Sequence, residues 1–155
     1  MRMSTLQNNL VLFFATGCYS GFSPGAPGTA GSVIGVVLFW VLASLSFPLY
    51  GLTVIAFIFL SIWCAARASI IFQKKDPPQI VIDEIAGYLV TMAAMPPSWG
   101  YIIGGFILFR IMDIVKPYPI RWIDQNIAGG YGIVLDDVLA GVYANIILQI
   151  ARALL

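Results

Sequence analysis

The chain contains no histidine. That absence excludes phosphohistidine chemistry, Ser-His-Asp triads, histidine zinc sites and imidazole acid–base catalysis together. Charge is also scarce: only 10% of the 155 residues are charged, against 60% hydrophobic, where a soluble domain carries about 25% charged residues. No charged residue occurs between Met3 and Ala66. No basic run is long enough to track a nucleic-acid backbone, so nucleic acid is not an expected partner. The two cysteines, Cys18 and Cys64, have no metal-like spacing and sit in apolar stretches, which predicts buried reduced thiols and no disulfide. Neither fits the loop of a thiol phosphatase. Arg2, the LVLFF stretch and the small residues before Cys18 have elements of a signal sequence. The apolar core of that segment is short, so an unprocessed N-terminus is expected.

What is present is apolar and organised in blocks. The uncharged segments Ala30–Phe47 and Leu49–Ala66 each approach the ~20 residues that cross a bilayer. The pattern predicts an all-α membrane protein, a compact bundle of about five transmembrane or membrane-embedded helices plus an N-terminal interfacial helix, forming one domain over residues 1–155. The interfacial helix is expected at Leu6–Phe22 and the spans at Ala30–Ser46, Leu49–Phe72, Gln79–Met95, Tyr101–Val115 and Ile133–Leu154. FPLYG and PPSWG read as turns, QKKDPP as a proline-stopped loop, and Ile120–Ile127 as a short amphipathic piece. With the N-terminus inside, Arg2, Arg67, Lys74, Lys75, Arg110, Lys116 and Arg121 all fall on the cytoplasmic side, leaving only Arg152 opposite.

Against this background the acids stand out. Asp83 and Glu84 interrupt the apolar stretch IVIDEIAGYLV, Asp113 lies late in the fourth span, and Asp136 and Asp137 lie early in the fifth. All five fall near the same, cytoplasmic end. A carboxylate at the edge of hydrocarbon costs up to ~3 kcal/mol, so its presence points to function. Clustered oxygen ligands suit a hard cation such as Mg2+, which keeps some positions for water or phosphate. The plainer alternative is ion pairing with Arg110, Lys116 or Arg121. Helical spacing places Asp83 with Gly87, Glu84 with Tyr88, and Arg110 with Asp113, while Asp137, Gly141 and Ala144 form a small-residue stripe that permits close helix approach.

The stretch SPGAPGTAGS brings Gly28, Thr29, Gly31 and Ser32 to a helix N-terminus, where free amides and the helix dipole attract phosphate. It lacks the lysine of a P-loop, and a simple helix cap is the competing explanation. The remaining chemistry is metal-assisted attack by water, or attack by an aspartate. A cation- or proton-coupled transporter using intramembrane carboxylates is the alternative; it would spread its acids through the membrane depth.

The segments PGTAGS, IVIDEIAGYLVT, FRIMDIVKPYPI and GYGIVLDDVLAGVYAN, in this order between Gly25 and Asn145, closely resemble the phosphatidylglycerophosphatase A family of bacterial membrane enzymes. The resemblance implies a Mg2+-dependent phosphatase of the cytoplasmic membrane that removes the terminal phosphate of phosphatidylglycerophosphate at the cytoplasmic face. It implies Asp83, Glu84, Asp136 and Asp137 as metal ligands and Asp113 as a further ligand or the group that orients water. Arg110 and Lys116 would then stabilise phosphate charge, and Thr29 and Ser32 would add hydrogen bonds.

Overall fold

The computed structural model describes residues 4–154, so Arg2 lies outside the described residues. Among the described residues there are seven α-helices, one 3-10 turn and no strand. Helix α1 spans Thr5–Ala15 and starts from a reciprocal cap: Gln7 N donates to Ser4 Oγ at 3.3 Å, and Ser4 N donates to Gln7 Oε1 at 2.9 Å. The sequence reading carried this helix on to Phe22. It stops earlier because the Thr16 hydroxyl binds Leu12 O at 2.8 Å and accepts from Tyr19 N at 3.2 Å, turning the chain. Gly17, Cys18 and Tyr19 then take left-handed backbone angles, and a 3-10 turn follows at Ser20–Phe22. This places Cys18 in an exposed turn, not in the buried position expected; Cys64 is buried.

Helix α2, Pro27–Leu42, begins three residues before the expected Ala30, because Pro27 is preorganised for a first turn and has no N–H to leave unsatisfied. It also ends before Ser46. Helix α3, Phe47–Phe72, absorbs FPLYG as its first turn for the same reason, with Pro48 among its first residues. Helix α5 spans Trp99–Val115, α6 Ile120–Asn126 and α7 Gly129–Leu154.

The largest departure is α4, Ile82–Thr91, where a full span over Gln79–Met95 was expected. The residues before Ile82 are committed elsewhere, Ile80 N donating to Pro77 O in a turn and Val81 N to Ala15 O at the end of α1, both at 2.9 Å, and the chain turns at Ala94, with left-handed φ, ahead of Pro96 and Pro97. Ten residues rise about 15 Å, half of a hydrocarbon core. Eight of those ten are buried by the surrounding helices, so α4 is the axis of the bundle. Its C-terminal carbonyls are met by α7: Asn145 Nδ2 donates to Thr91 O and Ala93 O, both at 2.8 Å, and Gln149 Nε2 to Ala93 O at 3.3 Å. Arg152 Nη1 donates to Ala94 O at 2.8 Å. A short helix with irregular ends is tolerated inside an apolar bundle only when its polar groups are satisfied in this way.

Among the described residues two helices, α3 and α7, are long and apolar enough to cross a membrane. The expected count of about five does not follow, since α2 has 16 residues, α4 ten and α5 17. The core around α4 joins Phe39, Tyr88, Leu89, Met92, Phe109 and Leu148. Its hydroxyls are bonded: Tyr50 Oη donates to Leu89 O at 2.7 Å and Tyr88 Oη to Ile102 O at 3.1 Å. Helices α4 and α7 meet backbone to backbone. A Cβ on Gly141 would overlap the Gly87 carbonyl oxygen, and one on Gly87 would lie 2.6 Å from Asp137 O. The small-residue stripe read from the sequence is this seam, and it sets the distance between the two acid-bearing helices.

Candidate active site

Where the N-terminal ends of α2 and α4 approach the C-terminal end of α5 and the early turns of α7, they enclose an open cavity of about 460 Å³. Asp83, Glu84, Asp113, Asp136 and Asp137 all line it, together with Arg110, Lys116 and Thr29. Helix α4 contributes acids in its first turn, where its dipole favours negative charge. Helix α7 starts earlier than expected, which puts Asp136 and Asp137 about two turns inside it.

The five acids do not play equivalent parts. Asp83, Glu84 and Asp137 each offer a carboxylate oxygen within 4.8 Å of the others. Asp83 and Asp137 are buried, and Glu84 is half-buried. Asp83 Oδ1 and Glu84 Oε2 are buried with no hydrogen-bond partner. Three carboxylates at this separation repel strongly away from water, and unsatisfied buried oxygens are costly. A hard divalent cation removes both penalties, and an all-oxygen donor set is the chemistry it prefers. The residues therefore fit such an ion, which Asp83, Glu84 and Asp137 could hold.

Asp136, expected beside them as a ligand, is instead paired with Lys116, whose Nζ lies 2.6 Å from Asp136 Oδ2. Its other oxygen, Oδ1, is buried and unpartnered. Lys116 Nζ also donates to Asp124 Oδ1 at 2.9 Å. Burial lowers the affinity of the Lys116 amine for its proton, but its hydrogen bonds and charge pairing with Asp136 and Asp124 outweigh that and hold its pKa above the usual lysine range. Asp113 is paired with Arg110, Oδ2 to Nη1 at 2.8 Å, as the i, i+3 spacing predicted. The plainer alternative, ion pairing, thus describes Asp113 and Asp136, whereas among the described residues no basic group lies at ion-pair distance from Asp83, Glu84 or Asp137.

The α2 N-terminus forms the opposite wall through Gly25, Ala26, Pro27, Gly28 and Thr29. Gly28 lies so close that a Cβ there would overlap Glu84 Oε1 and stand 3.0 Å from Arg110 Nη1. Ser32 does not line the cavity. It is fully buried and its hydroxyl donates to Gly28 O at 2.9 Å, so it braces the first turn of α2 from within. Thr29 is exposed at the rim. Two acids were missed as site residues. Asp76 lines this cavity and the adjoining one, and Asp124 lines the adjoining one. Asp76 sits in the QKKDPP loop, where its charge reads as ordinary solvation; Asp124 sits one turn into the short α6, where only its distance from Lys116 betrays it.

Gly28 yields a prediction that separates site geometry from folding. In Gly28→Ala the added methyl meets the ends of flexible side chains, which yield cheaply. Melting temperature is expected to stay within a few degrees of the parent while turnover falls about tenfold, since a small misplacement of reacting groups is costly. Turnover and a thermal melt on the same preparation check it; unchanged turnover would mean that the α2 wall does not contact the reacting groups.

The family model described as Phosphatidylglycerophosphatase A matches residues 13–152. The chain is 39% identical over 129 residues to an Escherichia coli K12 protein named phosphatidylglycerophosphatase A, covering 83% of this chain and 75% of that one. It is 39% identical over 147 residues to a Haemophilus influenzae protein of the same name, covering 90% and 86%. A Bacteroides thetaiotaomicron protein provisionally named phosphatidylinositol-3-phosphatase is likewise 39% identical, over 152 residues, covering 92% and 94%. No solved structure matches the chain.

Proposed function

The chain belongs to the phosphatidylglycerophosphatase A family, and from that membership together with the site we propose that it is a Mg2+-dependent lipid phosphatase converting phosphatidylglycerophosphate to phosphatidylglycerol and inorganic phosphate. The observation that carries the metal-dependent reading is the group Asp83, Glu84 and Asp137, with buried unpartnered oxygens, next to a guanidinium and a helix N-terminus. Bound there, a divalent ion would offset most of the charge of the three carboxylates and polarise a phosphoryl oxygen. Arg110 and the first-turn amides of α2 would hold the terminal phosphate, the guanidinium supplying charge-assisted hydrogen bonds. Arg110 Nη1 is buried with no well-aligned acceptor, although Asp113 is at ion-pair distance, which leaves it able to serve an incoming anion. Asp113 orients Arg110 and accepts the proton of the attacking water. Water forms the new P–O bond, the ester P–O bond breaks, and the departing glycerol oxygen takes a proton from solvent while Asp113 returns to solvent the one it accepted, so the net reaction consumes one water and releases the alcohol and inorganic phosphate.

The bilayer supplies the substrate's setting. We place the cavity at the cytoplasmic face of the bacterial inner membrane, with acyl chains in the inner leaflet. This is supported by the exposed apolar flanks Val37, Val41, Leu52, Ile55, Phe59 and Ile107, and by the basic bias toward the acid-bearing end. Every acidic residue lines the active cavity or the adjoining one, and Arg152 lies at the other end of α4. That one-sidedness supports an enzyme over a transporter, which would need carboxylates along a path.

The direct test is phosphate release in detergent from phosphatidylglycerophosphate, with phosphatidylinositol 3-phosphate beside it. EDTA is expected to reduce turnover at least about 10²-fold, and excess Mg2+ to restore it. Full activity in EDTA would remove the metal from the mechanism; release only from the inositol lipid would reassign the substrate.

A further inference from the structure

Lys116 ends α5 in a left-handed conformation, φ 46°, and its Nζ is held between Asp136 on α7 and Asp124 on α6. Nothing in the reaction proposed above calls on Asp124. Yet the chain spends a second carboxylate on an ammonium that Asp136 alone would neutralise. Asp136 is buried while the Asp124 side chain is 37% exposed. Removing Asp124 therefore leaves no deeply buried charge orphaned, and a purely stabilising contact at that exposure would be weak. What Asp124 does fix is direction. A lysine side chain has several rotatable bonds and no preferred fork, so one partner does not define its position. A second carboxylate, from a helix packed on α7, does. With Nζ pinned, Asp136 Oδ2 is pinned, and the unpartnered Asp136 Oδ1 is held in the wall of the cavity, where its negative charge acts on Asp83 and Asp137, two of the three carboxylates that would hold an ion.

We propose that Asp124 is a positioning residue of this enzyme, acting through Lys116 to orient Asp136. It touches neither phosphate nor metal. Helix α6 is thereby part of the site, tying the segment after KPYP to the acids of α7. The inference rests on the proposed lipid phosphatase reaction for its main readout, but the coupling it asserts is a property of three named side chains.

The test is a double-mutant cycle of Asp124→Ala and Lys116→Met in the full-length protein in detergent. Asp124→Ala is expected to lower kcat about tenfold with KM changed less than twofold, because Arg110 and the α2 amides still bind the phosphate. In the Lys116→Met background the same substitution is expected to change kcat less than twofold, since its only route of action is gone. Asp124→Glu, which keeps the carboxylate, is expected to recover at least half of parental kcat. Additive effects in the cycle, or an unchanged kcat in Asp124→Ala, would overturn the proposal. Should Asp124→Ala fail to fold, Asp124→Asn replaces it in the cycle under the same criteria. If the parent protein does not hydrolyse the lipid, the proposed substrate falls and not this inference. The cycle is then read on the melting-temperature shift produced by Mg2+ alone, where the effect of Asp124→Ala must again vanish in the Lys116→Met background.

Discussion

Asp137→Asn and Asp83→Asn are each expected to lower turnover about 10²–10³-fold while making the ion-free protein more stable, a combination that a structural carboxylate cannot produce. Asparagine preserves shape and one carbonyl oxygen but removes the charge that holds a cation. In EDTA the parent chain keeps Asp83, Glu84 and Asp137 within 4.8 Å, with buried oxygens that nothing satisfies. Removing one charge relieves that repulsion, worth roughly 1 kcal/mol or a few degrees in melting temperature for a chain of this size. Added Mg2+ should then raise the melting temperature of the parent and fail to raise that of either variant. Turnover and thermal melts with and without Mg2+ decide it. Variants that lose both activity and ion-free stability would show that these acids brace the fold.

That the five acids share one cavity was readable in the sequence because their signal is a violation. Acids inside apolar stretches have few explanations, and five of them near one end of the predicted spans had to share one. Their division of labour was not readable. Whether Asp136 meets an ion or Lys116 depends on how α5 ends and where α6 returns, and neither is encoded in the spacing of Asp136 and Asp137. Ser32 illustrates the same limit. In GTAGS it looks like an anion ligand, but once Pro27 starts the helix three residues early Ser32 falls in the second turn and bonds back to Gly28. Asp76 and Asp124 carried no signal because an acid in a polar loop or amphipathic segment violates nothing.

The helix inventory was legible in order and approximate place, and least legible in α4. Hydropathy measures whether residues avoid water; it does not distinguish lipid from protein as the solvent. The stretch around Tyr88 and Leu89 is apolar because other helices enclose it, and ten residues suffice when α7 supplies donors to the carbonyls at its end. The exposed Cys18 follows from a similar ambiguity, since an apolar neighbourhood in sequence became a left-handed turn at the edge of the fold.

The seam between α4 and α7 is where fold and chemistry depend on the same atoms, and Gly141→Ala is expected to expose this. A methyl at Gly141 would overlap the Gly87 carbonyl oxygen and lie 3.1 Å from Val90 Cβ. Both helices are held from several sides and the obstacle is backbone, so neither can yield as a side-chain tip would. Overpacking of this kind costs about 1–3 kcal/mol, or several degrees in melting temperature. The same displacement separates Asp83 and Glu84 on α4 from Asp137 on α7. A shift of about 1 Å between reacting groups is enough for a 10²-fold loss of turnover. The fraction that remains folded should therefore be poorly active, with a raised Mg2+ requirement. Gly51→Ala in α3 is the control: a Cβ there meets nothing within 4 Å, and alanine favours a helix over glycine by about 0.5–1 kcal/mol. Activity per folded molecule and melting temperature, measured on both variants, check the expectation. If Gly141→Ala matched Gly51→Ala on both counts, contact between the two backbones would not be what fixes the spacing of the acids.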